Sequence, residues 1–316
     1  MTTHAPQVLS EFRTGFLTTR VSRTGTGTIL WQHTPGPDRD QPFPTVPVAL
    51  LDLLAAASSP VLTWVAPTTA TAHEVAWETD GRHSLAAALE SDSHTDRQIE
   101  TIGAHLGAQL RRFHDLSRVQ DHAAHRDAYP PRPPGLTRLR SWLDQGRGTR
   151  AAPAFHYRLR SRLGSRRWGR LNELTDHLLQ PGGDETATAL HGWFSMGGIV
   201  LGDRPGTEAI SVLSGPDTCW GRPEIDLGCL VGELTEYRIA ARRKGIAWPV
   251  LGRLQRAFLA HYGTADTEAV AAGALLRVAT HAHDYASYVG WSEQLHGYVP
   301  MLTELLDDPL TALQPV

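Results

Sequence analysis

Lysine is almost absent from this chain of 316 residues. Of its 30 basic residues only Lys244 is a lysine, and the others are arginines. A GC-rich genome enriches arginine without any functional cause, so the bias by itself indicates no activity. It does exclude any mechanism that needs a lysine side chain before residue 244, such as the lysine of a Gly-Lys-Ser phosphate loop.

Cysteine is also scarce. The two thiols, Cys219 and Cys229, are too few and too isolated for a zinc ribbon or a disulfide framework, and we expect both to be buried and reduced. His281 and His283 are two residues apart in a helical stretch, where they point to different faces and cannot share an ion. We therefore expect no metal site from the cysteines or from this histidine pair.

The sequence has no long apolar run and no strong charge of either sign. No stretch approaches the length of about 18 apolar residues that indicates a membrane helix. The first residues, MTTHAPQVLSEF, do not resemble a signal peptide. We expect a cytoplasmic protein that does not enter a membrane. The net charge of -3 gives no reason to expect nucleic-acid binding.

The first 80 residues have the pattern of a small antiparallel sheet. Two strand-like segments, GFLTTRVS and TILWQH, flank a TGTG turn, and two more, VLTWVA and HEVAWE, follow. Between the two pairs, VALLDLLAAA predicts one apolar helix. The order β-β-α-β-β predicts a small N-terminal lobe at residues 1–80.

Residues 81–316 have helical patterns. The segment TDRQIETIGAHLGAQLRRFHDL places Ile99, Ile102, Leu106, Leu110 and Phe113 at three- and four-residue spacing, which predicts an amphipathic helix. The predicted fold class is therefore α+β, with a mainly helical C-terminal lobe. Four further apolar helical runs support it: Asp226–Ala241, Pro249–His261, Glu268–Val289 and Pro300–Leu313.

A strongly basic segment lies between residues 138 and 170. It holds ten arginines against one acid, Asp144, interleaved with aromatic and apolar residues. One interpretation is a solvated helix pair packed by its apolar side chains. The other is a binding surface for an acidic peptide, with Arg158, Arg160, Arg166 and Arg167 as the contacting residues.

The segment ALHGWFSMGGIV at residues 189–200 resembles the catalytic loop of the aminoglycoside and choline phosphotransferase family. In that family His-Gly-Asp is followed after four residues by Asn and then by an apolar strand. His191 and Gly192 match the pattern. Trp193 stands at the position of the catalytic aspartate, and Gly198 stands at the position of the metal-binding asparagine, so the loop is degenerate.

A second segment, GRPEIDLGCLVGEL, resembles the family's Gly-Asp-Pro-x-x-Asp-Leu-Ala. Counting back from it places Ser214 at the family's metal-binding aspartate. In this alignment Asp226 caps its own helix and holds the catalytic loop through backbone hydrogen bonds. A rival alignment makes Asp226 itself the metal ligand, at the cost of a long gap after Gly198.

In the small lobe, EVAWETDGRHSLAAAL resembles the family's hinge. The resemblance implies that Trp77 and Glu78 border the adenine site. The strand TILWQH then falls where the family carries its phosphate-binding lysine, and Gln32 or His33 occupies that place. The helix VALLDLLAAA offers only Asp52 as a counterpart of the glutamate that pairs with this lysine.

The resemblance implies a two-lobed, protein-kinase-like fold without the usual means of catalysis. Phosphoryl transfer depends on positioning and on charge neutralisation by lysine, metal ions and carboxylates. Losing several such groups removes on the order of 5 kcal/mol or more of transition-state stabilisation. We therefore expect a pseudokinase with no cofactor. The resemblance also implies that Trp193 occupies the space where the substrate hydroxyl and the phosphate meet.

The segment SGPDTCWGRPEIDLGCLVGELTEY is similar to kinase-like subunits of class V lanthipeptide and thioamitide assembly. That resemblance implies two partners: a precursor peptide, bound through its leader, and a lyase-like subunit, the whole complex dehydrating serine and threonine. One alternative is a divergent, active phosphotransferase that uses ATP and Mg²⁺ through acids such as Asp203, Asp217, Glu224 or Asp226. Another is a small-molecule binding protein that has lost catalysis.

Overall fold

The computed structural model describes residues 6–91, 93–119, 129–130, 132–180, 186–203 and 209–314. Its strands are short, as expected from the Gly- and Pro-bounded segments of the sequence. In chain order they are β1 (Gln7–Arg13), β2 (Leu17–Arg23), β3 (Ile29–Pro35), β4 (Leu62–Val65), β5 (Thr69–Ala70), β6 (Val75–Thr79), β7 (His83–Ser84), β8 (Thr188–Leu190), β9 (Ile199–Leu201), β10 (Ile210–Leu213) and β11 (Cys219–Gly221).

Helices dominate the remainder of the described residues. They are α1 (Val48–Ala57), α2 (Leu85–Glu90), α3 (Asp96–Val119), α4 (Pro134–Gln145), α5 (Ala152–Leu179), α6 (Glu224–Arg243), α7 (Pro249–Tyr262), α8 (Thr267–Tyr288), α9 (Glu293–Asp307) and a final 3-10 turn (Pro309–Leu313). Because none of these helices is both long and apolar enough, the described residues contain no candidate membrane span.

The small lobe contains a five-stranded antiparallel sheet in the order β1-β2-β3-β6-β5, whereas α1 packs against α3 and β4. The register pairs Trp31 of β3 with Trp77 of β6. Val21, Ile29, Trp31 and Trp77 pack together beneath the sheet. The predicted α+β fold is confirmed: a small antiparallel-sheet lobe precedes a mainly helical lobe.

Strand β4 does not join the small sheet, although its sequence VLTWVA predicted a strand there. It runs parallel to β10 and forms a second sheet in the order β4-β10-β9-β7. This pairing buries Leu62 and Trp64 in the core of the helical lobe. Burial of two large apolar side chains favours this position over an edge of the small sheet.

Two helix pairs build the core of the large lobe. The amphipathic face predicted for α3 is buried, and Gly107 lets α3 approach α7 so closely that a Cβ there would lie 2.1 Å from the Phe258 carbonyl oxygen. A Cβ at Gly228 of α6 would likewise lie 2.4 Å from the carbonyl carbon of Gly273 in α8. These close contacts fix α6 and α8, which both contribute to the site.

The predictions for the two cysteines and for the basic segment 138–170 both concern the helical lobe. Cys219 and Cys229 are free and buried, and burial raises the pKa of both thiols. The basic segment forms the helix pair α4 and α5, and Gly164, at φ 70°, interrupts α5. The predicted helix pair is present.

Candidate functional site

The loop 191–198 connects β8 to β9 and lies at the junction of the two lobes. Strand β8 pairs with β11, with Leu190 opposite Cys219. Gly192 has a φ of 83°, and a Cβ at this position would lie 1.8 Å from the Asp217 carbonyl oxygen. Only glycine fits this turn, so the glycine of the motif is a backbone requirement.

Asp226 holds the loop from behind. Its carboxylate accepts hydrogen bonds from the backbone N–H of His191 at 2.7 Å and of Gly192 at 2.9 Å. It also lies 3.1 Å from Nε2 of His114, which in turn bonds the hydroxyl of Tyr262 through Nδ1. Asp226 and His114 are fully buried. The carboxylate has no exposed oxygen left for a metal ion.

The bracing contacts expected of Asp226 are therefore present, whereas the expected helix cap is not. Helix α6 begins at Glu224 with Pro223 as its N-cap, and no side chain caps it. Asp226 lies inside the first turn and points toward the loop instead. The rival alignment, in which Asp226 binds metal, is inconsistent with this geometry.

His191 joins the loop to β10. Its Nε2–H donates to the Leu213 carbonyl at 2.9 Å, and its Nδ1 accepts from the backbone N–H of Trp193 at 3.3 Å. The Leu213 N–H donates to the Gly198 carbonyl at 2.9 Å. Both nitrogens of His191 are thus occupied, and the residue has a structural role in the described chain.

Trp193 stacks on a buried cation. The guanidinium carbon of Arg277 lies 4.3 Å from the centre of the indole. Arg277 also donates to Glu233 at 2.9 Å, and the other oxygen of Glu233 accepts from the backbone N–H of Met196 at 2.6 Å. Burial alone would lower the pKa of Arg277, but the Glu233 carboxylate raises it above its ordinary value. One face of the indole therefore packs against a permanently charged guanidinium group.

Trp193 forms part of the wall of a cavity of about 360 Å³ between the lobes. The cavity is mostly apolar, and aromatic rings from both lobes face it. Its principal lining residues are Phe16, His33, Arg39, Phe43, Trp77, Arg138, Trp193, Gly198, Asp217, His281, Asp284, Tyr285 and Tyr288.

The structure places two of the four predicted nucleotide-site residues at this cavity. His33 and Trp77 line it, with their rings edge to face at 4.9 Å. Gln32 lies on the opposite face of β3, where its amide donates to Glu74, and Glu78 is exposed outside the cavity lining. Strand alternation explains the split, because neighbouring residues point to opposite faces.

His33, one of the two residues predicted at the position of the lysine, lines the cavity without supplying a charge. Burial, with a contribution from the neighbouring Arg39, lowers the pKa of His33 to about 4. The imidazole is therefore neutral at pH 7. Ser214 supplies no ligand either, because its buried hydroxyl donates to the Val212 carbonyl at 3.0 Å, while its own carbonyl accepts from the Trp77 indole at 2.8 Å.

The turn between β1 and β2 contributes to the wall of the cavity, a feature with no counterpart in the sequence prediction. The Gly15 N–H donates to the Tyr288 carbonyl at 2.7 Å. The ring of Phe16 lies between the guanidinium groups of Arg39, at 4.3 Å, and Arg138, at 4.6 Å. Nearby, Arg150 pairs with Asp38 at 2.7 Å.

One face of α8 forms the floor of the cavity and was also missed. His281, Asp284, Tyr285 and Tyr288 recur at spacings of three and four residues and all line the cavity. This polar periodicity within an apolar helix was the available signal. Arg138 donates to Asp284 at 3.0 Å, and despite its burial this contact and His283 hold the pKa of Asp284 well below its usual range.

The acids considered as metal ligands are scattered. Asp203 pairs with Arg82 near the surface, and Asp226 is buried as described, so Asp217 is the member of that group that lines the cavity. Within the described ranges no three His, Cys, Asp or Glu side chains form a group able to hold a metal ion. Asp52 lies on the exposed side of α1.

The predicted arginine surface lies on α5, away from the cavity. Arg160 and Arg166 are exposed, and Arg158 lies 5.7 Å from the ring of Trp291. Arg167 makes two hydrogen bonds of 2.7 Å to Asp307. Three of the four predicted guanidinium groups thus face solvent or an aromatic ring.

Comparison with solved structures gives the class of fold. A Plasmodium vivax ethanolamine kinase matches 97% of this chain and 83% of its own, with a TM-score of 0.58 and 11% identity. A microcompartment-associated aminopropanol kinase matches 99% and 94%, with a TM-score of 0.57 and 15% identity. An amicoumacin kinase, solved with AMP-PNP, Ca²⁺ and Ami, matches 96% and 88%, with a TM-score of 0.57 and 12% identity.

The chain therefore has a kinase-like fold, the fold that these three kinases share. No family model matches the sequence. No curated protein sequence matches it either. At such low identities the likeness establishes the architecture, while the chemistry has to be argued from the side chains of this chain.

Proposed function

We propose that this protein is a pseudokinase, a kinase-fold protein that binds a peptide and a partner subunit and does not itself transfer phosphate. The observation that carries the proposal is Trp193 stacked on Arg277 at the head of the loop 191–198. In the family pattern this position belongs to the aspartate that orients the attacking hydroxyl. An indole has no basic atom that can accept that proton.

The charge balance of the cavity supports the same conclusion. His33 is neutral at pH 7, Gly198 has no side chain, and the Ser214 hydroxyl is bonded to the backbone. Kinases hold the nucleotide phosphates with a lysine and with metal ions on carboxylate and amide ligands. Nothing at these three positions replaces those groups, so we propose that the protein needs no ATP or Mg²⁺.

The partners we propose are a precursor peptide, whose serine and threonine residues are dehydrated, and a lyase-like subunit that acts with this protein. The exposed guanidinium groups of α5 fit an acidic leader by charge complementarity. The aromatic cavity between the lobes fits a peptide side chain by its size and its apolar walls. We further propose that the protein acts in the cytoplasm.

Thermal unfolding with and without millimolar ATP and Mg²⁺ tests the absence of a nucleotide site. A ligand present at 100 times its dissociation constant stabilises a protein by about 2.7 kcal/mol. We expect no shift in Tm with ATP, with Mg²⁺ or with both. A shift that requires the metal would contradict the proposal.

Binding of a fluorescent peptide rich in glutamate tests the arginine surface. We expect the triple variant Arg158→Ala, Arg160→Ala, Arg166→Ala to weaken binding by about tenfold or more, at roughly 0.5 kcal/mol or more for each charge removed. The matched control removes three exposed cations elsewhere, Arg97, Lys244 and Arg256. Equal losses in both triples would indicate unspecific charge attraction.

The alternative, a divergent phosphotransferase, has one observation in its favour. Asp217 lies at the cavity three residues after Ser214, where a carboxylate could take part in metal binding. Under this alternative Asp217→Asn abolishes any stabilisation by ATP with Mg²⁺ and leaves the Tm of the free protein unchanged. Under the pseudokinase proposal the variant and the parent protein behave alike with the nucleotide.

A further inference from the structure

His281 is held in one orientation by a buried carboxylate. Its Nδ1 lies 2.8 Å from one oxygen of Glu236 and 3.0 Å from the other. The Tyr298 hydroxyl donates to the same carboxylate at 2.6 Å. The Glu236 side chain is 10% exposed, and despite its burial the contacts with His281 and Tyr298 lower its pKa. Glu236 is therefore an ionised acceptor for the Nδ1–H of His281.

This contact fixes the role of the second ring nitrogen. When Nδ1 carries the proton and donates it to a carboxylate, Nε2 presents a lone pair. The imidazole lines the cavity with 37% of its side chain exposed, and no hydrogen bond to Nε2 is present among the described residues. The cavity thus contains an oriented ring nitrogen that is available to bond a ligand.

His283, two residues along the same helix, shows the contrasting situation. Its Nδ1 bonds Asp284 at 2.9 Å, and its Nε2 bonds the Ser287 hydroxyl at 3.1 Å. The side chain is 7% exposed. Both nitrogens of His283 are used inside the protein, whereas His281 has one nitrogen available to a ligand.

We propose that His281 is the residue by which the cavity recognises a side-chain hydroxyl of its ligand, a serine or threonine of a peptide, and that Glu236 is its positioning residue. The inference rests on the proposed function for the peptide nature of the ligand. The hydroxyl donates to Nε2, while aromatic rings surround the remainder of the residue. It assigns a specificity role to groups outside the loop 191–198.

The other charged groups of the cavity favour a neutral hydroxyl over an anion or a cation at this point. Arg138 and Asp284 form an ion pair, and the other two charged lining residues, Arg39 and Asp217, carry opposite charges. In a mostly apolar cavity, a buried polar group without a hydrogen-bond partner is costly. The hydroxyl of threonine gives Nε2 of His281 a partner, whereas the methyl group of valine leaves it without one. We therefore expect the site to prefer threonine over valine.

Carbethoxylation by diethyl pyrocarbonate, mapped by mass spectrometry, tests the availability of Nε2 without any ligand. We expect His281 to react at least about tenfold faster than His283, because a buried histidine reacts only through local opening of the structure. Equal rates at the two histidines would overturn the proposal, since Nε2 of His281 would then not be presented to the cavity.

Protection from the same reagent tests the ligand class. The probes are N-acetyl-threonine amide and N-acetyl-valine amide, which have similar shape and differ by a hydroxyl. We expect the threonine amide to protect His281 with about fivefold higher affinity, the value of one hydrogen bond. Equal protection by both, or protection by neither, would overturn the hydroxyl assignment.

Two variants separate positioning from folding. Glu236→Gln is expected to slow the reaction at His281 about threefold, because a carboxylate partner raises imidazole basicity. Glu293→Gln makes the same change at an exposed glutamate that does not contact His281, and it serves as the matched control with an unchanged rate. If Glu236→Gln does not fold, His281→Gln provides the second measurement: it should abolish the preference for the threonine amide in a tryptophan-fluorescence titration, and a retained preference would refute the proposal.

These outcomes are distinguishable from failure of the proposed function. Stabilisation by ATP with Mg²⁺ would refute the pseudokinase while leaving the reactivity of His281 unaffected. Conversely, equal reactivity of His281 and His283 would remove the recognition role and leave the absence of nucleotide binding intact.

Discussion

The back and the front of the loop 191–198 differ sharply. At the back, Asp226, His114 and the backbone N–H groups of His191 and Gly192 form a closed, buried hydrogen-bond network. At the front, where the family pattern has an aspartate and an asparagine, the chain has Trp193 and Gly198. The residues that hold this loop in shape are therefore distinct from the positions that the family pattern uses for catalysis.

The largest expected effect comes from breaking the back of the loop. Asp226→Ala leaves two backbone donors and His114 without their acceptor, and loss of one partner in a buried charged network costs about 3–5 kcal/mol. Urea unfolding measures the free energy. Asp52→Ala on the exposed side of α1 is the control, and we expect a change within about 0.5 kcal/mol for it. A small loss for Asp226→Ala would show that the network is not structural.

The second-largest effect is on the pH dependence of stability and comes from His33, which lines the cavity in front of the loop. Because burial lowers its pKa to about 4, the unfolded chain, with a pKa near 6.5, binds the proton first as the pH falls. The stability is therefore complete above about pH 6.5 and declines toward pH 4, by up to about 3 kcal/mol from this group. We expect His33→Leu to show a correspondingly flatter decline in urea unfolding over this range. An identical decline in both proteins would contradict the burial of His33.

Replacing Trp193 sharpens the comparison between structure and activity. Trp193→Ala removes a half-buried ring and its contact with Arg277, at a cost of about 2 kcal/mol. Trp193→Asp restores the family's residue, yet we expect no stabilisation by ATP with Mg²⁺, because positions 33, 198 and 214 still lack the required groups. A metal-dependent rise in Tm for Trp193→Asp would show that Trp193 alone prevents nucleotide binding.

The smallest effect lies far from the loop. Arg167→Ala breaks an exposed ion pair with Asp307, and such pairs contribute little to stability and weaken with salt. We expect the smallest loss of all these variants in the free energy of unfolding by urea, reduced further in high salt. A larger, salt-independent loss would indicate that α5 and α9 depend on this pair for packing.

The sequence predicted the parts of the fold whose signals are local. The periodicity of α3 lies within one segment and led to the correct helix. The contact between Asp226 and the loop was predicted from two short motifs that resemble a family pattern, and the hydrogen bonds to His191 and Gly192 are present. The position of β4 was wrong because a parallel pair of distant segments leaves no local pattern. The assignment of Trp77 and Glu78 to one site failed for Glu78, since strand alternation separates neighbours.

The floor of the cavity escaped prediction for another reason. The polar residues of α8 are visible in the sequence, but their common face becomes meaningful only when the partner residues are known. Glu236 lies 45 positions before His281 in the chain, and no spacing rule links them. The two histidines of α8 look alike in sequence, and only the packing shows that one is occupied and the other is available.

The contact between Gly15 and Tyr288 has a consequence for the kinetics of binding. It ties the tip of the first hairpin to the end of α8, and Arg150 with Asp38 reinforces the attachment. Any motion that opens the cavity on this side has to break both contacts. A ligand that enters by this side therefore enters and leaves more slowly, without any gain in affinity.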